Sequence, residues 1–81
     1  MYTVVLAPDA ERTRDDLPPE AMIAYMELQT MLEMSPENGP LLPGRSPTAN
    51  FRTHPFGATG IATYFIDERQ DIVFIVSLQW L

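Results

Sequence analysis

The fold of this chain is decided by its last third, residues 51–81, which read FRTHPFGATG IATYFIDERQ DIVFIVSLQW L. β-Branched and aromatic residues, which favour strands, dominate residues 60–67 and 71–81, and residues 51–54 add a shorter stretch of the same type. A polar turn at residues 68–70 separates the two longer stretches, so they are predicted to pair as a hairpin. Three consecutive strands are therefore expected, and the rest of the chain must cover the sheet.

Length and composition predict a single globular domain over residues 1–81. A chain of this size buries about 60 to 65% of its unfolded surface, which is enough for one modest core. The sequence is 46% hydrophobic and holds no cysteine, so it offers neither a disulfide framework nor thiolate chemistry. No stretch approaches the roughly 18 apolar residues of a transmembrane span, and no signal sequence is recognisable. A soluble, cytoplasmic protein is the expectation.

The charge of the chain is unevenly distributed. The formal net charge is -6 at pH 7, which argues against non-specific nucleic-acid binding because phosphates repel an acidic surface. Residues 1–40 hold eight acids and two arginines, and therefore carry the whole of this net charge. Residues 41–66 contain no acid but include Arg45, Arg52 and His54. One surface of an acidic protein can thus be locally positive.

The first 34 residues predict a short strand at 2–6, a polar helix at 9–16 and a longer helix at 20–34. Two prolines separate the helices, and the Ser-Pro pair at 35–36 stops the second one. At about 100° per residue, one apolar stripe of the longer helix is expected to face the sheet. Its members are Ala21, Ala24, Tyr25, Leu28, Met31 and Leu32.

A second apolar strip is left on another side of the longer helix. It consists of Ile23, Met26, Thr30 and Met34. The ordinary interpretation is that this strip packs beneath the first helix or a loop, because apolar residues mostly fill cores. The alternative is a partner-binding face, which suits the adaptable methionine side chain. Trp80 has a similar pair of interpretations, a lid over the sheet edge or an anchor for a partner.

The predicted fold class is α+β: a small antiparallel sheet, in the order strand, two helices, three strands, with the helices packed on one face. A proline- and glycine-rich crossing at 37–49 is expected to be an ordered loop, and residues 55–60 are expected to form a turn. The last strand is apolar on both alternating sets, so it should be central and covered at least in part on both faces. Alternation places Arg52 and His54 on the same face of the first C-terminal strand.

The order of these elements resembles that of the RelE/ParE superfamily of bacterial type II toxin-antitoxin toxins. The motifs that carry the resemblance are Leu-Pro-Gly-Arg at 42–45, Phe-Arg-Thr-His at 51–54 and Ile-Ala-Thr-Tyr-Phe-Ile-Asp at 61–67, with an opening Tyr-Thr-Val at 2–4. The resemblance spans nearly the whole chain. It implies a toxin-like subunit whose partner is an antitoxin protein that wraps across it, and it implies no cofactor and no metal.

In the RelE branch, the resemblance implies cleavage of messenger RNA on the ribosome by a metal-independent endoribonuclease. The 2′-hydroxyl group of the RNA attacks the adjacent phosphate, and Arg52 would stabilise the charge that develops there. His54 would donate or accept a proton, and Arg45 would add a basic group from the preceding loop. The ordinary interpretations are an ion-paired or solvated Arg52 and a turn residue His54 bonded to the backbone.

Two features depart from the ribonuclease branch. The chain has no lysine, and residues 77–81 lack the basic residue that this branch carries after its last strand. Docking on ribosomal RNA needs many phosphate contacts, and each contact needs a cation. The ParE branch, in contrast, acts on DNA gyrase through protein contacts and needs no such cluster.

The predicted function is therefore that of a RelE/ParE-like toxin that acts mainly through protein–protein contacts. Its partners would be an antitoxin, a gyrase-type target or a second copy of the chain. The alternatives are a ribosome-dependent mRNA endoribonuclease and a catalytically silent dimeric relative of the fold. The predicted partner-binding residues are Ile23, Met26, Met34 and Trp80.

Overall fold

The computed structural model describes residues 1–38 and 51–81. Most of the predicted crossing at 37–49, including Arg45, lies outside the described residues. The described elements are the strand β1 (Thr3–Leu6), the helices α1 (Pro8–Asp15) and α2 (Pro19–Met34), a short 3-10 helix (Pro36–Asn38), and the strands β2 (Phe51–Phe56), β3 (Gly60–Asp67) and β4 (Ile72–Gln79).

The four strands form one sheet in the order β1-β4-β3-β2. Strands β2, β3 and β4 pair antiparallel, as the hairpin pattern predicted, and β4 is central. Strand β1 pairs parallel to β4, with Val4 opposite Val73, so the sheet is mixed. A parallel neighbour needs a long crossover connection, which the helices supply here. The predicted α+β architecture, with helices on one face, is confirmed.

The helices begin where the sequence offers suitable residues. Pro8 opens α1 and Pro19 opens α2, in the first turn where a missing N–H costs nothing. In α1, acidic residues occupy the first turn and Arg12 and Arg14 the last, which suits the helix dipole. Ser35 ends α2, and its N–H donates to the carbonyl oxygen of Met31 at 2.7 Å. The predicted strand and helix positions therefore hold to within a few residues.

The core lies between the helices and one face of the sheet, called here the covered face. The predicted stripe of α2 faces it: Ala21, Tyr25, Leu28 and Leu32 are buried, and Ala24 and Met31 are partly buried. From the sheet, alternate residues of β3 and β4 complete the core. These residues are Ala62, Tyr64, Ile66, Val73, Ile75 and Leu78.

The opposite side of the sheet, called here the open face, carries the other alternating set. Three phenylalanines lie side by side across β2, β3 and β4: the Phe51 and Phe65 rings are 5.5 Å apart, and the Phe65 and Phe74 rings 5.4 Å. The β4 residues on the open face, Ile72 and Phe74, are half-buried, which agrees with the prediction that β4 is partly covered on both faces. A register shift between Thr63 and Tyr64 places Val76 at a bulge in β4.

Strand β2 continues to Phe56, two residues beyond its predicted end. Pro55 was expected to start a turn, but β2 is an edge strand, where a missing N–H removes no ladder bond. The turn is limited to the three residues before Gly60. Gly57 has φ +63°, and a Cβ atom there would meet the Trp80 ring at 2.8 Å, so the position requires glycine.

Candidate functional site

Arg52 and His54 both lie on the covered face, since Arg52 pairs with Tyr64 and His54 with Ala62. The Arg52 Nη1 group donates to the carbonyl oxygen of Glu37 at 3.2 Å. The Tyr64 hydroxyl donates to the neighbouring carbonyl oxygen of Pro36. The two side chains thus bind consecutive carbonyl groups of the 3-10 helix, and they hold the end of the α2 segment against β2 and β3.

This contact gives Arg52 a structural partner in the described part of the chain. The contact uses one of the five N–H donors that an arginine has, and the Arg52 side chain is half-buried. The structure brings Arg52 and His54 to one face of β2, as predicted. Arg45 lies outside the described residues. The assignment of these three residues to catalysis therefore stays a prediction.

His54 lies in β2 rather than in the turn that the ordinary interpretation gave it, and it bonds to the backbone as that interpretation predicted. Its Nδ1 atom is 2.7 Å from the carbonyl oxygen of Pro55. A carbonyl oxygen can only accept, so Nδ1 carries the proton, and in the neutral ring Nε2 is left as an acceptor. The backbone contact therefore fixes the tautomer of His54.

A groove of about 210 Å³, called here the His54 groove, separates β2 from α2. Its β2 side is formed by His54 and the three residues after it. Its helix side is formed by Ala24, Glu27, Leu28 and Met31. Sequence analysis did not identify this groove, although Glu27 falls at the border of the predicted inward stripe and His54 falls on the inward set of β2. Joining the two required knowledge of where α2 crosses β2.

The second apolar strip of α2, called here the outer strip, is exposed. The exposed fractions are 62% for Ile23, 61% for Met26 and 68% for Met34. Thr30, between them, is also exposed, and its hydroxyl donates to the carbonyl oxygen of Met26 at 3.1 Å. The described part of the chain does not bury this strip, so the interpretation that it fills the core is wrong.

A second groove, of about 380 Å³, runs along α2 on the other side of the outer strip. Met26 lines it together with Arg14 and Tyr25. Burial raises the pKa of Tyr25, and the nearby Arg14 charge opposes this shift in part. A hydrogen bond to Asp15 raises the pKa of Arg14, whose Nη2 atom lies 3.1 Å from the Asp15 carboxylate. Among the α2 residues that line this groove, Glu33 is the only charged one, and Arg14 faces them from α1.

Trp80 packs as a lid at the end of the sheet. Its ring lies 5.6 Å from the Phe56 ring and covers the Gly57 backbone. The indole is partly exposed. The lid interpretation therefore describes its position in the fold, and its use as a partner anchor stays a prediction.

The described strands place no cation on the open face, where RNA binding would require one. Among the described strands, the cationic or titratable basic side chains are Arg52 and His54, and both lie on the covered face. Across residues 1–38 and 51–81, no cluster of three or more histidine, cysteine or acidic side chains could hold a metal ion. None of the described helices is long and apolar enough to cross a membrane.

Solved structures that are similar to this chain include RelE toxins and RelBE toxin-antitoxin complexes. A chain of the toxin-antitoxin complex RelBE2 from Mycobacterium tuberculosis has a TM-score of 0.81 and 27% identity, covering 99% of this chain and 98% of that one. A chain of the intact Escherichia coli RelBE toxin-antitoxin complex has a TM-score of 0.83 and 14% identity, covering 100% and 98%. The isolated E. coli RelE toxin has a TM-score of 0.81 and 16% identity, covering 96% and 82%.

The sequence itself gives a weaker signal. No protein-family model matches the chain, and no curated protein matches it. The similarity lies in the arrangement of strands and helices over nearly the full length of both chains. The resemblance to the RelE/ParE superfamily that the sequence predicted is thereby confirmed.

Proposed function

We propose that this chain, whose fold is that of the RelE-like toxins, is the toxin component of a toxin-antitoxin pair and acts mainly through contacts with other proteins. Its first partner would be a cognate antitoxin. The similar chains from M. tuberculosis and E. coli were both solved within toxin-antitoxin complexes, which supports this choice of partner. A gyrase-type target or a second copy of the chain would be the further partner that the protein-contact mechanism needs.

The observation that carries the proposal is the exposed outer strip of α2. Ile23, Met26 and Met34 each expose more than half of their surface. Burying such side chains against a partner yields about 25 cal/mol for each Å² of apolar surface removed from water. Flexible methionine side chains also adapt to the shape of a partner. Together with the partly exposed Trp80, these residues are the proposed partner-binding residues.

The charge of the chain supports protein contact over RNA chemistry. The formal net charge is -6, and the described strands carry no cation on the open face. Of the three residues proposed for catalysis, Arg52 binds the carbonyl oxygen of Glu37 in the 3-10 helix and His54 bonds to the carbonyl oxygen of Pro55. Few groups are left to neutralise phosphates, and the affinity of a protein for RNA rises with the number it neutralises.

The second candidate function is a ribosome-dependent mRNA endoribonuclease that uses Arg52, His54 and Arg45. The observation that favours it is that the similar solved structures carry the RelE name, the branch for which the family resemblance implies RNA cleavage. The third is a dimeric relative that has kept the fold without the activity. Both alternatives are separable from the first by experiment.

The experiment that tests the proposal is induced expression of the chain with and without the product of the adjacent reading frame. Growth arrest is expected from the chain alone, and the neighbour should relieve it and co-purify with the chain. Met26→Glu should abolish co-purification, because it introduces a charge into the outer strip. Val5→Glu is the matched control, since Val5 is an apolar residue of β1 that is 36% exposed on the open face and is not among the residues that line a groove with Trp80.

Thermal melting of both variants would show that each is folded. The proposal fails if Val5→Glu releases the neighbour and Met26→Glu does not. It also fails if the chain is strictly monomeric, binds no product of a neighbouring frame and leaves growth unchanged.

A further inference from the structure

The His54 groove has an apolar floor and a polar mouth. Leu28 and Phe56, at 4% and 3% exposure, form part of its lining, and Met31 is half-buried beside them. Glu27 is exposed on the helix side, and His54 is half-buried on the strand side. A group that enters this groove would therefore bury an apolar stem while its end remained near two polar side chains.

Both polar side chains at the mouth are hydrogen-bond acceptors. The Glu27 carboxylate, when ionised, can only accept. His54 uses Nδ1–H on the Pro55 carbonyl, so the neutral ring offers Nε2 as an acceptor. None of the eight described residues that line the groove is an arginine or a lysine, and Glu27 forms no ion pair with a described residue. The described side chains at the mouth of the groove thus offer acceptors and no positive charge.

A long basic side chain has the chemistry that this groove lacks. Arginine has an apolar stem of three methylene groups, which side chains of this kind bury along apolar surfaces while the charged end stays in water. Its planar end carries five N–H donors and can reach two acceptors at once, as a single ammonium group does less well. An acidic side chain would be repelled by Glu27, and a purely apolar one would cover both acceptors without bonding to them.

We propose that the His54 groove binds an arginine side chain of a partner protein. The proposal rests on the proposed function in one respect, which is that a partner covers this side of α2. The groove and the outer strip are continuous, because Glu27 lies between Ile23 and Met31 around the helix. The partner segment would therefore place apolar side chains on the outer strip and an arginine in the groove.

The charge of α2 favours a basic segment over an acidic one. The helix carries Glu20, Glu27 and Glu33 and no arginine or lysine. Residues 1–40 hold the whole formal net charge of -6. Complementary charge across an interface speeds association and selects the correct partner, whereas like charges oppose it. The contact segment of the partner is thus basic and apolar.

The test is an NMR titration of the full ¹⁵N-labelled chain with N-acetyl-arginine amide at pH 7.5. Shift changes are expected in two segments, residues 24–31 and 54–57. The same titration with N-acetyl-citrulline amide, which has the same length and no charge, should show about tenfold weaker binding, because charged hydrogen bonds are the stronger ones. Equal binding of the two probes, or shifts spread evenly over the chain, would overturn the proposal.

Two variants test whether arginine binds in the His54 groove. Glu27→Gln should weaken arginine binding about tenfold, because it keeps the shape of the side chain and removes the charge. Glu33→Gln makes the same charge change on the same helix, but outside the His54 groove, and should change binding less than about twofold. Equal weakening by both variants would show that only net charge matters, which would overturn the proposal.

This titration does not depend on the proposed function for its readout. It needs neither a toxic effect in cells nor a partner protein. A chain that arrests growth but shows no preference for arginine would contradict the groove proposal alone. A chain that prefers arginine but neither arrests growth nor binds a neighbour would contradict the proposed function alone.

Discussion

The inner and outer sides of α2 both carry apolar residues, but only the inner side is buried. On the inner side, Tyr25, Leu28 and Leu32 are buried against the covered face of the sheet. On the outer side, Ile23 and Met26 are exposed. Apolar residues occur on both sides of the helix, so hydrophobicity alone does not show which side is covered. What separates them is the position of the sheet, which can cover only one side of a helix.

The largest expected difference between the two sides is in folding stability. Leu32→Ala should lower the free energy of unfolding by about 2 to 5 kcal/mol, because Leu32 is fully buried and its loss leaves a cavity. Met34→Ala, two residues away on the exposed side, should change it by less than about 0.5 kcal/mol. Urea denaturation of both variants measures the difference. Similar losses for the two would contradict the division of the helix into two sides.

A smaller effect is expected where the inner side of α2 meets the β2–β3 turn. Gly57→Ala should cost about 1 to 3 kcal/mol, because φ at this residue is +63° and a side chain is strained there. The added Cβ would also displace Trp80, which is the only tryptophan of the chain. Denaturation and a red shift of tryptophan fluorescence measure the two consequences.

Ala58→Ser, at the exposed neighbouring position, is the control and should leave both readouts unchanged. If Gly57→Ala instead preserves stability and the emission spectrum, Trp80 is not held as a lid on this turn.

The smallest expected effect is on the pH dependence of stability. Burial on the inner side raises the pKa of Tyr25 above its ordinary value of 10.0. The folded state therefore holds the phenol proton more tightly than the unfolded state does. This stabilisation is fully present below pH 10 and is lost as the pH rises through the pKa of the folded state.

Tyr25→Phe should therefore lose less stability than the wild type between pH 8 and pH 11. Urea denaturation at the two pH values measures this difference. The other tyrosines titrate equally in both proteins, so their contribution cancels. An identical loss in the two proteins would show that Tyr25 titrates alike in the folded and unfolded states.

Much of the fold could be predicted from local pattern. The alternation in β3, the polar turn before β4 and the inward stripe of α2 each report on short-range geometry, and each prediction is confirmed. The parallel pairing of β1 with β4 joins residues about 70 positions apart in the sequence, and no local pattern records it. Pro55 was taken for a breaker because its tolerance depends on β2 being an edge strand, which is also a property of the whole sheet.

The candidate site was less accessible to sequence analysis. Alternation correctly placed Arg52 and His54 on one face of β2. Alternation could not show that this face of β2 lies against α2. For that reason it revealed neither the bond from Arg52 to the Glu37 carbonyl nor the groove between Glu27 and His54. For the same reason the sequence left two interpretations of the outer strip open, core packing and a partner-binding face, since an apolar side chain has the same pattern whether a neighbour covers it or not.

The proposed function depends on protein contacts on the outer side of α2 rather than on RNA chemistry at Arg52. The most direct test maps the 5′ ends of translated messages in cells that express the wild type or Arg52→Ala, with thermal melting to show that both are folded. We expect no translation-dependent cleavage by the wild type, and growth arrest that persists in Arg52→Ala. Cleavage by the wild type that disappears in Arg52→Ala, together with the arrest, would contradict the proposed function.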